Sequence, residues 1–178
     1  MTPASRTTRY VVGLGSNRRH GRHGAPRAVL AAAVDALAAA GLGIVATSAT
    51  HHTSALGPSD REFANSAVLL RTTLGPPDLL TMLKRIERAF GRRPGRRWGA
   101  RVLDLDILAW SEGAWPPGPR RAPPGRLAIP HRALVVRGFA ITPASRVAPR
   151  WRHPYLAATL SQLDHRRSRP VDRHRPGQ

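Results

Sequence analysis

The stretch Arg-Arg-Trp-Gly-Ala-Arg-Val-Leu-Asp-Leu-Asp-Ile-Leu, residues 96–108, joins an arginine cluster to two closely spaced aspartates on an apolar run. The chain of 178 residues has 29 basic side chains but only 10 acidic ones, and Asp104 and Asp106 are two of those ten. The apolar run predicts a β-strand over 102–110, and alternate residues of a strand share one face. Both carboxylates therefore lie on one side, about 7 Å apart at the backbone, and repel each other unless a cation lies between them.

Three further strands and two helices are predicted upstream of this stretch. The helices begin at Pro26 and Pro76 and stop at Gly41 and Gly91, because proline favours the first turn of a helix and glycine its end. The predicted strands are residues 9–14, 44–52, 63–72 and 102–110. The order β-α-β-β-α-β is that of a ferredoxin-like α+β sandwich, in which helices flank an antiparallel sheet.

A C-terminal extension of short elements and a basic tail are predicted downstream. The expected elements are a short edge strand at 127–130 and short helices at 134–141 and 156–163. Residues 164–178 are rich in Arg, His and Pro with almost no apolar side chains, so we expect disorder there. The predicted folded domain is therefore residues 1–163.

The overall composition excludes several classes of protein. No run of about 18 apolar residues occurs, so no membrane span or membrane partner is predicted, and the N-terminus lacks the pattern of a secretion signal. The absence of cysteine excludes disulfides and thiolate metal sites and is compatible with a reducing, cytoplasmic setting. The net charge of +19 is compatible with a polyanion-binding surface, but arginine outnumbers lysine 28 to 1, which favours a general codon bias over a nucleic-acid partner.

The aspartate pair has two interpretations. The first is a pair of solvent-facing acids that neutralise nearby arginines. The second, which we favour, is a Mg²⁺ site, because hard divalent cations take one or two carboxylates and complete their shell with water and phosphate oxygens. Carboxylates beside an arginine cluster suit a metal-bridged nucleoside triphosphate, whose charge guanidinium groups neutralise during phosphoryl transfer.

The known glycine-rich nucleotide loops are absent from the sequence. No Gly-x-x-x-x-Gly-Lys-Ser/Thr motif occurs, and the stretch from Gly13 to Arg18 has only two of the three glycines of a dinucleotide-binding turn. Lys84 is the only lysine, so a kinase-type glycine loop with its lysine is also missing. A nucleotide site in this chain must have another design.

Several motifs in order resemble those of the 6-hydroxymethyl-7,8-dihydropterin pyrophosphokinase family of folate biosynthesis. These are Gly-Ser-Asn (15–17), Phe-x-Asn-x-Ala-Val (63–68), Ile-Glu-x-x-x-Gly-Arg (86–92), Arg-Trp-Gly-x-Arg-x-Leu-Asp-Leu-Asp-Ile (97–107), Ile-Pro-His-x5-Arg-Gly-Phe (129–139), Ala-Pro (148–149) and His-Pro (153–154). The resemblance covers about residues 8–163, and its segment 97–107 is highly specific.

The resemblance implies an enzyme that transfers pyrophosphate from ATP to the hydroxymethyl group of the pterin, with two Mg²⁺ ions. It implies that Asp104 and Asp106 hold both ions and that Arg92 and Arg101 clamp the triphosphate. The expected partners are these small substrates alone, bound by a monomer.

The resemblance also implies two sets of binding residues. The set around ATP is Glu87, Arg97, Trp98, Arg101, Ile107, Arg126, His131 and Arg137. The set around the pterin is Thr53, Leu56, Phe63, Asn65, Asp104 and Phe139, in which the two phenylalanine rings sandwich the flat heterocycle. The chain departs from the family pattern at Ala55, Lys84 and Pro94.

Two alternatives of other classes remain. Arg137-Gly138-Phe139-Ala140 matches the first half of an RNA-binding signature, Lys/Arg-Gly-Phe/Tyr-Gly/Ala, whose second half fails here. That alternative is a ferredoxin-like RNA-binding module. The other is an inactive family member that acts as a binding partner, against which the intact aspartate pair argues.

Overall fold

The computed structural model describes residues 6–54, 62–91, 101–118, 123 and 125–169, without the side chains of Thr53, Ser54 and Glu62. Its strands are β1 (Thr8–Ser16), β2 (Gly43–Thr47), β3 (His51–Ser54), β4 (Glu62–Thr72) and β5 (Asp104–Trp110). Its helices are α1 (Pro26–Ala39), α2 (Pro76–Ala89), α3 (Gly138–Val147) and α4 (Leu160–Ser168). None of the helices within these ranges is long and apolar enough to cross a membrane.

The strands form one antiparallel sheet in the order β2-β4-β1-β5, and β3 also pairs with β4. If β2 and β3 are taken as one interrupted strand, this is the ferredoxin-like order of four strands, with α1 and α2 as the crossover helices. The predicted fold class is therefore confirmed. Within the part of the chain that the structure describes, β5 is an end strand of the sheet.

The prediction of one strand over residues 44–52 is wrong in one respect, because the structure has two short strands in this region, β2 and β3. The break falls at Ser48, whose Oγ accepts the N–H of Ala67 at 3.0 Å while its own N–H donates to the C=O of Ala67 at 2.9 Å. The Ser48 side chain here accepts a hydrogen bond that a backbone C=O accepts in a regular sheet. Side-chain hydrogen bonds of this kind compete with strand pairing, so the strand is interrupted.

Two apolar cores cover the two faces of the sheet. On one face Tyr10, Val12 and Leu14 of β1 pack with residues of α1 and α2. On the other face Val11 of β1 packs with residues of α3 and α4, among them Ile141. The period of two along β1 separates these sets, so each face of the strand is apolar against its own helical layer.

The C-terminal elements differ from the sequence prediction. Residues 132–136 form turns, so the helix expected at 134–141 begins only at Gly138 and continues beyond Pro143, with Ile141 and Val147 buried against the sheet. The helix expected at 156–163 is instead Leu160–Ser168.

The disorder predicted from residue 164 is wrong for residues 164–168, which belong to α4. Thr159 and Gln162 form a capping box that starts this helix. Asp164 then fixes the helix to α3, because its carboxylate accepts hydrogen bonds from Thr142 (2.7 Å) and Ser145 (2.9 Å). Residues 170–178 lie outside the described residues.

Candidate active site

One row of residues crosses three adjacent strands on the α3 side of the sheet. Asn65 on β4, Gly15 on β1 and Asp104 on β5 are direct partners in the two strand registers. The next row along the same strands contains Ala67, Gly13 and Asp106. Because directly opposed residues share a face and Ala67 belongs to the core beneath α3, both rows face α3.

Gly15 leaves an open floor in the middle of the first row. Among the described residues, the atom nearest to a Cβ placed on Gly15 is Oδ1 of Asn65, at 3.6 Å. At Gly13, by contrast, the same space is filled by Leu108, whose Cδ1 would lie 3.1 Å from such a Cβ. The floor at Gly15 is therefore bordered by a buried amide on one side and a carboxylate on the other, which suits a flat ligand with polar edges.

Asp104 and Asp106 lie on one face of β5, as the sequence predicts, and both are partly exposed. Leu105 and Ile107 point to the opposite face and are buried in the α1–α2 core. Arg101 lies just before the strand, and its Nη1 donates to Oδ2 of Asp104 at 2.6 Å, with 35% of the arginine and 24% of the aspartate side chain exposed. A guanidinium and two carboxylates thus share one open surface.

Asn17 fixes the backbone of Arg101. Its Oδ1 accepts the N–H of Arg101 at 2.6 Å, and its own N–H donates to the C=O of Arg101 at 3.1 Å. Asn17 follows directly after β1, so these two hydrogen bonds connect the end of β1 to the residues that precede β5. The sequence analysis assigned no role to Asn17, although the Gly-Ser-Asn turn at 15–17 was a signal that could have identified it.

A cleft of about 290 Å³ lies along the outer edge of β5. Four of the predicted site residues line it, namely Asp106, Ile107, Arg126 and His131. The N–H of His131 donates to the C=O of Leu108 at 2.9 Å, and its Nδ1 accepts the N–H of Ala133 at 3.2 Å. With Nδ1 as an acceptor, the neutral ring carries its proton on Nε2, which makes Nε2 a hydrogen-bond donor.

The N-terminus of α3 carries an exposed aromatic ring. Phe139 is 44% exposed, and Cζ of Arg137 lies 5.6 Å from the centre of its ring, a distance typical of a cation–π contact. Phe63, the other predicted stacking ring, is partly exposed near the start of β4 and is paired in register with Thr53 of β3.

Comparison with known proteins gives one consistent result. A sequence model described as 7,8-dihydro-6-hydroxymethylpterin-pyrophosphokinase (HPPK) matches residues 11–149. The chain belongs to this family. A 2-amino-4-hydroxy-6-hydroxymethyldihydropteridine pyrophosphokinase from Methylorubrum extorquens is 42% identical over 144 residues, which are 80% of this chain and 84% of the relative. A protein of the same name from Pseudomonas aeruginosa is 37% identical over 148 residues, 82% of this chain and 84% of the relative.

A solved structure supports the fold of this pyrophosphokinase family member. The Plasmodium falciparum HPPK-DHPS A437G structure with SDX-DHP aligns with a TM-score of 0.67 at 17% identity, and the alignment covers 93% of this chain but 46% of the other. At that identity the likeness concerns the fold alone. The chain therefore spans less than half of that fused protein.

Glu87 of the pyrophosphokinase is buried between α2 and β5. The sequence analysis predicts it around ATP, and in the structure its side chain is 0% exposed and its Oε1 accepts the N–H of Leu105 at 2.7 Å. Nζ of Lys84 lies 2.7 Å from the same oxygen. The structure thus places this carboxylate beneath β5, where it contacts the strand backbone.

Some predicted residues of the pyrophosphokinase site cannot be compared with the structure. Arg92, Arg97, Trp98 and Leu56 lie outside the described residues, as do the departures at Ala55 and Pro94. Thr53 is described only by its backbone in β3.

The RNA-binding alternative is wrong. Its signature needs Gly138, Phe139 and Ala140 on a strand of the sheet, because the stacked bases lie on the sheet surface. Those residues instead form the first turn of α3, with Arg137 as the N-cap residue. The resemblance to the signature is therefore a coincidence of four residues.

Proposed function

We propose that this chain transfers the terminal diphosphate of ATP to 6-hydroxymethyl-7,8-dihydropterin. The hydroxymethyl oxygen of the pterin attacks the β-phosphorus of ATP, and the bond from that phosphorus to the α,β-bridging oxygen breaks. AMP leaves with the bridging oxygen and both electrons of that bond, and the hydroxyl proton passes to solvent. The products are AMP and the pterin diphosphate.

The aspartate pair fits two Mg²⁺ ions held between the substrates. Asp104 and Asp106 offer hard carboxylate oxygens on one open face, and Mg²⁺ is usually bound by one or two carboxylates together with substrate phosphates. When bound, the metal would supply charge neutralisation at the phosphate oxygens and acidify the attacking hydroxyl. Gly15, the partner of Asp104 on β1, contributes no side chain to this face of the sheet.

The pair also stands at the boundary between two proposed subsites. Asp104 shares a row with Asn65 and Gly15, where the pterin would lie, and Asp106 lines the β5 cleft with Arg126 and His131, where ATP would lie. Alternate residues of one strand thus face two different ligands about 7 Å apart. This arrangement suits an in-line transfer from one ligand to the other.

Charge on the migrating diphosphate would be stabilised by guanidinium groups. Arg101 is the described candidate, because its bond to Asp104 holds it at the carboxylate that would bind metal. We assign Arg92, Arg97, Trp98 and Arg137 to the same task of enclosing the triphosphate. Phe63 and Phe139 are assigned to the faces of the pterin, with Thr53, Leu56 and Asn65 at its edge.

The observation that carries this proposal is the geometry of Asp104, Asp106 and Arg101 in a chain of this family. The test is incubation of the purified full chain with ATP, MgCl₂ and hydroxymethyldihydropterin, followed by measurement of AMP, ADP and the pterin product. We expect AMP and pterin diphosphate in equal amounts, and only when the pterin is present.

Two other results would overturn the proposal. Release of ADP in place of AMP would indicate attack on the γ-phosphorus and a different reaction. Binding of both substrates without any release of AMP would favour the inactive binding protein considered in the sequence analysis. A chain in which both aspartates are replaced by asparagine serves as the control for contaminating ATPases.

A further inference from the structure

The backbone of β5 is bonded to charged side chains of α2 at the residue between the two aspartates. The N–H of Leu105 donates to Oε1 of Glu87 at 2.7 Å, and the C=O of Leu105 accepts from Nζ of Lys84 at 3.2 Å. The same Nζ donates to Oε1 of Glu87 at 2.7 Å. These three contacts tie both backbone polar groups of Leu105 to one ion pair.

An end strand explains part of this arrangement. Backbone groups of β5 that are turned away from β1 need hydrogen-bond partners when they are buried. Neutral side chains such as glutamine or serine could satisfy them at no electrostatic cost. Burial of the Glu87 carboxylate costs desolvation free energy, which its partners must offset. In return, hydrogen bonds to a charged group are shorter and stronger than those between neutral groups.

The identity of the basic residue is also informative. Lys84 is the only lysine among 29 basic residues, and the other 28 are arginines. An ammonium group is compact and has three donors that can rotate, whereas a guanidinium is a wide planar fork. The single Nζ of Lys84 donates both to Glu87 and to the C=O of Leu105, which suits a compact group with several donors.

We infer that Lys84 and Glu87 are positioning residues for the metal-binding carboxylates, an inference that rests on the proposed function. The N–H of Leu105 belongs to the peptide unit that starts at Asp104, and its C=O belongs to the unit that ends at Asp106. Fixing both units fixes the spacing of the two Cα atoms from which the carboxylates project and the directions of their Cα–Cβ bonds. Metal ligands must be held to about 0.5 Å, and loss of such outer partners lowers metal affinity.

The test compares Lys84→Met and Glu87→Gln with Arg146→Met. Arg146 is an exposed residue of α3, which packs on the face of the sheet opposite to α2, so its replacement removes one positive charge without changing the contacts of Lys84 and Glu87. Binding of Mn²⁺ in the presence of a non-hydrolysable ATP analogue is measured by electron paramagnetic resonance, at a temperature where each variant is folded. Exchange of the Leu105 amide proton is followed by nuclear magnetic resonance.

We expect Lys84→Met and Glu87→Gln to weaken Mn²⁺ binding roughly 10- to 100-fold and to accelerate exchange of the Leu105 amide, while Arg146→Met changes neither. Lys84→Gln, which keeps a donor for Glu87 and Leu105, should recover part of the affinity. If Lys84→Met fails to fold, the nearly isosteric Glu87→Gln decides the question alone.

The outcomes separate this inference from the proposed function. Lower thermal stability with unchanged Mn²⁺ affinity would mean that the ion pair only satisfies the strand edge, and the inference would be wrong. A wild-type chain that binds Mn²⁺ and the ATP analogue but releases no AMP would overturn the proposed reaction instead. Weaker Mn²⁺ binding in an active enzyme supports both.

Discussion

Replacing Gly15 by alanine should separate substrate binding from stability. The new Cβ would lie 3.6 Å from Oδ1 of Asn65, which is ordinary van der Waals contact, so the fold can accept it. Glycine in a strand interior costs about 0.5–1 kcal/mol relative to alanine, so we expect the variant to be as stable as the wild type or slightly more stable. The methyl group, however, would stand on the open floor between Asn65 and Asp104.

The size of the binding defect follows from overpacking. A planar ligand that rests on this floor would have to rise by about the thickness of a methyl group, and extra methylenes in a packed site cost about 1–3 kcal/mol. At 1.4 kcal/mol for each factor of ten, this corresponds to a roughly 5- to 150-fold weaker affinity for the pterin. The affinity for ATP, whose proposed cleft lies beyond Asp106, should change little.

The assay is a titration of each substrate against the rate of AMP release, together with thermal unfolding of the same preparations. Gly13→Ala is the matched control on the neighbouring row. Its Cβ would lie 3.1 Å from Cδ1 of the buried Leu108, which would have to shift, so we expect Gly13→Ala to be less stable than Gly15→Ala while its pterin KM stays unchanged. An unchanged pterin KM in Gly15→Ala, or a defect confined to ATP, would refute the placement of the pterin on this floor.

The remaining predictions concern charge. In Asp104→Asn and Asp106→Asn we expect AMP release to fall to background with unchanged thermal stability, and normal turnover of either variant would contradict the metal assignment. Arg101→Ala should lower the single-turnover rate by about 10²–10³-fold, whereas a change in ATP affinity alone would contradict the clamp role. Burial raises the pKa of the Tyr10 hydroxyl, so the unfolded chain loses this proton first, and the free energy of unfolding should fall as pH rises above about 10. Denaturant titrations at about pH 9 and about pH 11 should show a smaller fall for Tyr10→Phe, and an equal fall would show that this group is not responsible.

The sequence predicted the elements whose local signals agree with their packing. Both crossover helices begin at the predicted prolines, because proline in the first turn and an apolar stripe facing the sheet indicate the same element. The carboxylates on β5 lie on one face because a period of two leaves no other choice for Asp104 and Asp106.

The errors arise where a tertiary contact outweighs the local signal. Ser48 divides a strand through a hydrogen bond to a residue nineteen positions away, which no local pattern indicates. The α4 boundary was missed although Thr159 and Gln162 supply a capping box, because the basic composition after Asp164 was given more weight. The burial of Glu87 was not predicted, because the family resemblance gave this residue a place around ATP and no local pattern indicates its contact with the backbone of Leu105.

The many arginines of this pyrophosphokinase compete with a metal ion for the carboxylates of β5. With a net charge of +19, the chain offers many guanidinium groups that can pair with an exposed carboxylate. Within the described ranges Asp104 pairs with Arg101, and Asp106 forms no ion pair with another described residue. The hydrogen bond from the N–H of Arg101 to Asn17 fixes the backbone position from which the arginine side chain reaches Asp104. The third acidic residue of the region, Glu87, is buried, and its carboxylate accepts hydrogen bonds from Lys84 and from the backbone of β5. In the proposed reaction both carboxylates of β5 hold metal, one of them beside a guanidinium whose backbone Asn17 fixes and the other facing the cleft with Arg126 and His131.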